Sequence, residues 1–329
     1  MSTYSNISFC GGGAWGQALA MTLASLGYKS TLIVSDKTRE SEINNHISKR
    51  FPKTQLSSLI KGSVDRNEII KLSDLIFITT ESKRVMRIIE EISLLSTKVI
   101  NVVITSKGFA TNKGETYVEI IEKNFQNIKV SVLTGPTFAD EIANNQPAAA
   151  ILANKEIDHA NSLCQLFHNS NLRLYPSNDP LGASIAGAVK NIIAIGAGII
   201  QGLGLGDNAK AALITRGVSE ISQLIKKAGG SHATAFGLAG IGDMSLTCSG
   251  PHSRNMAYGM KIVKNSKKEF PKELVEGLNA LNATIALAEK LELELPIVNA
   301  INDILNKGVN INSIIKQLLS RPIKNEFLN

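Results

Sequence analysis

A chain of 329 residues with 43% hydrophobic and 19% charged side chains carries enough apolar material for two cores of roughly 150 residues each. That balance excludes long disorder. The formal charge of +7 is densest at Lys261, Lys264, Lys267, Lys268 and Lys272, a run with almost no interleaved aromatics, so a solvated basic face is expected rather than nucleic-acid binding.

The three cysteines, Cys10, Cys164 and Cys248, are odd in number and far apart, and the histidines fall in no ligand spacing. A reduced, metal-free chain is expected. Residues Met1 to Asn6 lack the charged region and apolar stretch of a signal peptide, which predicts a cytoplasmic protein.

Taken in chain order, short β-branched runs at 7–9, 31–34, 75–78, 99–104 and 130–133 alternate with amphipathic stretches. The alternation predicts an α/β fold, an N-terminal Rossmann-like doubly wound sheet. Pro176, Asn178, Asp179 and Pro180 break the pattern. Beyond them 181–201, 209–227, 279–291 and 297–306 read as helices, so the expected division is 1–178 for the sheet domain and 179–329 for an all-α C-terminal domain.

The first run leads directly into Gly11-Gly12-Gly13-Ala14-Trp15-Gly16, a G-x-G-x-x-G at Gly11, Gly13 and Gly16. Gly11 suits a tight turn, Gly13 close approach of backbone to a pyrophosphate, and Gly16 close helix-to-strand packing. The expected helix at 17–26 aims its positive end at the phosphates. Asp36 lies about 20 residues on, where a carboxylate accepts from ribose hydroxyls. It disfavours the extra phosphate of NADP, with Lys37 and Arg39 as counterweights, so NAD or NADP is expected with NAD favoured. An N-cap role for Asp36 stays open.

Residues 183–204 imitate a membrane span, yet Lys190 and Asn191 interrupt them. A lysine at the bilayer centre costs at least roughly 2.5 kcal/mol. A buried core helix without membrane insertion is therefore expected. Lys190 in such a helix must meet a charge partner, reach a cleft or bind an anion, with snorkelling to the surface as the alternative. Desolvation and neighbouring positive charge would lower its pKa and suit it to proton transfer. Further on, Ser253, Arg254 and Asn255 offer a hydroxyl, a guanidinium and an amide to a phosphate, or a plain N-cap at Ser253.

At this point the residues become specific. The block from Gly187-Ala188-Val189-Lys190-Asn191 through Gly204-Leu205-Gly206-Asp207-Asn208-Ala209-Lys210 to Thr215-Arg216-Gly217 closely resembles NAD(P)-dependent glycerol-3-phosphate dehydrogenases of the bacterial soluble type. Ser106-Lys107-Gly108, Gly135-Pro136-Thr137-Phe138-Ala139, Ala239-Gly240-Ile241-Gly242-Asp243 and Val275-Glu276-Gly277 follow in the right order, so the resemblance spans essentially the whole chain.

The resemblance implies an oxidoreductase converting dihydroxyacetone phosphate and sn-glycerol 3-phosphate for glycerophospholipid synthesis, as a homodimer. It implies Lys190 as the proton-transfer residue, and Lys107, Gly135, Thr137, Asp243, Ser253, Arg254 and Asn255 as substrate contacts. Ala14, Trp15, Ala139, Leu274 and Glu276 match coenzyme contacts, with Lys107 and Arg254 near both ligands. Lys107 beside Lys190 would depress its pKa, and Asp243 would orient the ammonium or the substrate hydroxyl. Plain loop or capping roles remain open for Lys107, Thr137 and Asp243. Met256, Asp36 and the stretch Lys49-Arg50-Phe51-Pro52 depart from the family's usual pattern. A hydroxy-acid or acyl-thioester dehydrogenase and a non-catalytic dinucleotide sensor are the rival readings; the first has no need of Ser253, Arg254 and Asn255, the second none of Lys190.

Overall fold

The structure, a computed structural model, describes residues 4–250, 253–264 and 275–322. Leu274, Lys267, Lys268 and Lys272 lie outside the described residues. Eight strands form one sheet: β1 Ile7–Cys10, β2 Ser30–Ile33, β3 Ile60–Ser63, β4 Leu75–Ile78, β5 Ile100–Ile104, β6 Ile128–Thr134, β7 Ala148–Ala153 and β8 Leu172–Ser177. Their order is β3-β2-β1-β4-β5-β6-β7-β8, parallel throughout except where β7 runs antiparallel to β6.

Strands covered on both faces need nearly continuous apolar runs, and β1 (Ile-Ser-Phe-Cys), whose Ser8 hydroxyl is bonded to that of Ser73 at 2.7 Å, and β4 (Leu-Ile-Phe-Ile) are buried at every position. Phe9 pairs in register with Leu32 and Phe77 and stacks on Phe77 at 4.9 Å between ring centres. Helices α1 Ala14–Ser25, α2 Lys37–Asn44, α3 Arg66–Leu72, α4 Val85–Leu95, α5 Tyr117–Asn124, α6 Ala139–Ala143 and α7 Ile157–Gln165 cover the two faces. In α4 the buried set is Val85, Ile88, Ile89 and Ile92, the one-sided stripe of a helix laid on a sheet. Helix α1 begins three residues earlier than the 17–26 expected, so its amino end is built from the glycine turn itself.

The sheet ends on β8, whose Pro176 sits opposite Leu152 of β7, and an edge strand is where proline is tolerated. Helix α8 Pro180–Leu203 follows at once. Asp179 caps it by accepting from the Gly182 N–H at 2.9 Å, Pro180 stands at its first turn, and Gly204 at φ 67° ends it. The helices α9 Gly206–Lys227, α10 Asp243–Cys248, α11 Arg254–Lys264, α12 Glu276–Lys290, α13 Pro296–Asn306 and α14 Ile311–Leu319 follow, with short helical turns at His232–Phe236 and Leu238–Gly242 and no strand after Ser177 among the described residues.

Helix α8 is the axle of this second layer. It is apolar enough to cross a membrane by length and composition, but it is buried inside the protein, among α9 to α13. Glycines let its neighbours touch its backbone. A Cβ on Gly198 would stand 2.1 Å from the Met256 carbonyl oxygen, and one on Gly259 2.1 Å from that of Ile195. Met256, where the family pattern often carries arginine, is buried beside that crossing. At its amino half α8 reaches the sheet: a Cβ on Gly187 would lie 3.2 Å from Thr134 Oγ1 at the end of β6. Lys190, one turn further, is thereby delivered to the carboxyl ends of the strands.

Candidate active site

The sheet order reverses direction between β1 and β4, and ligands of such sheets bind at the carboxyl ends of strands beside that switch point. Gly11, with φ 128°, follows β1; a Cβ there would meet the Thr79 carbonyl oxygen, at 3.0 Å, at the end of β4. At Gly16 a Cβ would stand 2.1 Å from the Gly11 carbonyl oxygen, so the turn closes only on hydrogen. Gly13 differs. A Cβ there would have no neighbour within 4 Å, which leaves an open face at the amino end of α1.

From that turn a cleft of about 330 Å³ runs between the sheet and the helical layer. Trp15, Thr79, Thr80, Lys107, Thr134 and Thr137 line it, with Ala139, Arg254 and Glu276. The Thr80 and Thr134 hydroxyls are buried there without a hydrogen-bond partner among the described residues, the condition of polar atoms that face a ligand. Those hydroxyls, the open Gly13 face and the dipole of α1 suit the phosphates of a dinucleotide.

At the inner end of the cleft Asp243, at 1% exposure, gathers two ammonium groups. Lys190 Nζ donates to its Oδ1 at 2.5 Å and Lys107 Nζ to its Oδ2 at 2.7 Å. Lys190 donates also to the Thr247 hydroxyl at 2.6 Å, and Thr247 donates back to the Asp243 carbonyl one helical turn earlier. Burial pulls the Lys190 pKa down, the positive Lys107 adds to the fall, and Asp243 opposes both, leaving it at about 8. For Lys107 burial also works downward, but the Asp243 carboxylate outweighs it and holds the pKa above its ordinary value. Two cations on one anion leave a net positive pocket when all are ionised, which suits a phosphorylated substrate.

The other expected contacts are spread around this centre. Gly135, at φ 155°, is pressed against Ala150, where a Cβ would lie 2.7 Å from the Cα, and Thr137 donates to the Gly135 carbonyl at 3.3 Å. Ser253 is the N-cap suggested for it: its Oγ accepts from the Met256 N–H at 3.3 Å. Asn255 does not face outward. It donates to the Asn191 side chain at 2.9 Å and accepts from the Gly277 N–H at 3.0 Å, tying α11 to α8 and α12. Asn191 donates in turn to Glu276 at 3.4 Å. Arg254 is exposed on the cleft wall. Ala14 opens α1 and Ala139 opens α6. Leu274 is beyond the described residues.

Asp36 lies past β2, exposed, and caps α2 by accepting from the Arg39 N–H at 2.9 Å and from the Ser35 hydroxyl at 2.8 Å. Those two bonds, the backbone one first, hold its carboxyl below the usual range, so it is ionised at neutral pH. Its capping role is therefore realised, whatever else it binds.

Sequence reasoning passed over Thr247, Thr79 and Thr80. Thr247 carried a usable signal, since it stands four residues after Asp243 on one helix and so shares its face. Thr79 and Thr80 follow the strand next to the switch point, a position that itself marks a ligand wall. Of the two roles left open for Asp243, orienting the ammonium rather than capping a helix is the one its contacts show. Gly242 precedes α10 and the carboxylate is spent on the lysines.

Two family models cover the chain. One described as NAD-dependent glycerol-3-phosphate dehydrogenase N-terminus matches residues 6–160, and its C-terminus counterpart matches 179–316. The chain belongs to the NAD-dependent glycerol-3-phosphate dehydrogenase family. It is an NAD(P)-dependent oxidoreductase of that family. A glycerol-3-phosphate dehydrogenase (NAD(P)+) of Halothermothrix orenii is 36% identical over 98% of this chain and 96% of its own length. One from Francisella tularensis is 38% identical over 98% and 99%. The crystal structure of glycerol-3-phosphate dehydrogenase from Coxiella burnetii superposes with a TM-score of 0.88 at 30% identity, covering 96% of this chain and 99% of that one. The enzyme of Saccharomyces cerevisiae, at 22% identity and a TM-score of 0.83, shares the fold.

Proposed function

We propose that this glycerol-3-phosphate dehydrogenase reduces dihydroxyacetone phosphate to sn-glycerol 3-phosphate, reversibly, and supplies glycerophospholipid synthesis. The single observation behind the proposed chemistry is Lys190. A buried ammonium with a pKa lowered to about 8 shares the Asp243 carboxylate with Lys107, which lines the cleft beside the glycine turn. When bound, the nicotinamide coenzyme supplies or accepts the hydride at C2 of the three-carbon phosphate. Lys190 Nζ then gives the proton that the C2 oxygen takes up, becomes neutral, and is reprotonated from solvent; oxidation runs the same transfer backwards.

Asp243 holds Lys190 in place through Oδ1. Lys107 and Arg254 hold the phosphate and draw it towards the pocket by charge, with Ser253, Thr137 and the Gly135 turn around it. Asn255 keeps α11 and α12 at the distance this requires. We divide the chain at residue 178, between β8 and α8, into a coenzyme domain at 1–178 and a substrate domain at 179–329, with the reacting groups at their junction.

The same reading favours NAD over NADP. The ionised Asp36 carboxylate would repel a 2′-phosphate, while Lys37 is engaged with Glu40 at 2.7 Å. We also take the enzyme as a cytoplasmic homodimer. The deciding experiment is coenzyme consumption with dihydroxyacetone phosphate and NADH or NADPH in turn. Turnover with both and a higher kcat/KM for NADH is expected, and no consumption with either removes the substrate assignment. Sedimentation at micromolar concentration tests the dimer.

A further inference from the structure

Gln17 and Ser48 have no part in the site as described, and neither lines the cleft. Both are nevertheless buried, and both are bonded into the nucleotide turn. Gln17, on α1, donates through Nε2 to the Gly12 carbonyl at 2.9 Å. Its Oε1 accepts from the Ser48 hydroxyl at 2.5 Å. Ser48 Oγ accepts in turn from the Phe51 N–H at 3.0 Å, so Ser48 ties the stretch 49–52, which departs from the family pattern, back to the glycine turn. The Gln17 backbone N–H also holds the next carbonyl, that of Gly13, at 3.0 Å.

The peptide between Gly12 and Gly13 is trans, as every described peptide is, and in a trans peptide the carbonyl and the N–H point in opposite directions. Fixing the Gly12 carbonyl inward on Gln17 therefore turns the Gly13 N–H outward. The backbone there is also uncrowded, since a Cβ built on Gly13 would meet no described atom within 4 Å. Three successive glycines are the most torsionally free backbone in the chain, and without an anchor this peptide has little else to set its direction.

We infer that Gln17, locked by Ser48, is a positioning residue for the coenzyme: it holds the Gly12–Gly13 peptide with its N–H aimed at the bound pyrophosphate. The inference rests on the reading that the coenzyme pyrophosphate seats at the glycine turn.

Trp15 is the sole tryptophan and lines the cleft, so its fluorescence reports coenzyme binding apart from turnover. NADH and NADPH are titrated into the wild type, Gln17→Met, Ser48→Ala and the double variant. Gln17→Met keeps the volume and removes both bonds. It should weaken coenzyme binding about tenfold, and Ser48→Ala about threefold, the range of one oriented buried hydrogen bond. The double variant should be no weaker than Gln17→Met alone, because Ser48 acts only through Gln17. The KM for dihydroxyacetone phosphate and kcat at saturating coenzyme should stay within about twofold. Ser48→Thr, which restores the hydroxyl, should recover the wild-type affinity.

Unchanged coenzyme affinity in the single variants, additive losses in the double, or equal damage to both substrates would overturn the inference. Should Gln17→Met fail to fold, Ser48→Ala and its rescue by threonine decide the matter alone. A wild type whose tryptophan answers to neither coenzyme would instead remove the reading of the glycine turn.

Discussion

Lys107 and Lys190 sit on opposite oxygens of one buried carboxylate, at 2.7 and 2.5 Å from Asp243. The arrangement sets the two amines apart. Lys107 keeps its proton through the physiological range, while Lys190, deeper and beside a second cation, is held at about 8.

In the proposed mechanism reduction needs the protonated Lys190 and oxidation the neutral one, so their pH dependences should mirror each other. The kcat/KM for dihydroxyacetone phosphate should be level below pH 8 and fall about tenfold per unit above it; that for glycerol 3-phosphate should rise up to the same point. Asp243→Asn removes the group that raises the Lys190 pKa. The reduction profile of that variant should break at lower pH and lose about a hundredfold in rate.

Gly13 and Gly16 should part company under the same substitution. Gly13→Ala has room and an ordinary φ of −75°, so its melting temperature should stay at the wild-type value while coenzyme binding weakens at least about tenfold. Gly16→Ala drives a methyl into the Gly11 carbonyl and should cost about 1–3 kcal/mol in stability. Denaturant melts and coenzyme titrations of the two proteins check both halves.

Asn255 joins three helices, and truncating it strands the Gly277 N–H and the Asn191 oxygen. Asn255→Ala should lose about 1–3 kcal/mol of stability in urea unfolding, the cost of buried polar groups left unpaired. Activity should fall with it, because Asn191 neighbours Lys190 on α8.

Glu220 is a stability sensor remote from the cleft. Its buried carboxylate accepts from the Ile297 and Val298 N–H groups at the start of α13, at 2.6 and 3.2 Å. Burial raises its pKa to about 7, against the two backbone bonds, Arg216 and Arg321. A folded-state value above the unfolded one near 4.5 means the contribution is full below pH 4.5 and is lost as pH rises to about 7. The decline should be on the order of 2–3 kcal/mol, read as a falling melting temperature between pH 5 and 7. Glu220→Gln should flatten that slope.

Much of this could be read in the chain, and the reasons are local. The β1 turn and α8 declare themselves because glycine spacing and an unbroken apolar run are properties of neighbours in sequence. Strands β7 and β8 do not. Ala148–Ala153 is alanine-rich, Leu172–Ser177 contains a proline, and their pairing depends on an antiparallel step against β6 that no local pattern encodes. Lys190 was legible as a buried charge, since such a charge demands partners. Which partners was another matter: Asp243 is 53 residues away, and Ser48 meets Gln17 across 31. Asn255, which reads in sequence as part of a phosphate nest, bonds the Asn191 side chain and the Gly277 N–H, partners 64 and 22 residues away that no local pattern announces.

The proposed proton transfer between Lys190 and the C2 oxygen is tested at that residue itself. Lys190→Met, which fills the same buried space without charge, is assayed for NADH oxidation with dihydroxyacetone phosphate alongside coenzyme titration by Trp15 fluorescence. Coenzyme affinity near that of the wild type is expected, with kcat lower by about a thousandfold and the break near pH 8 abolished. A variant that keeps kcat within about tenfold of wild type and still breaks near pH 8 would contradict it.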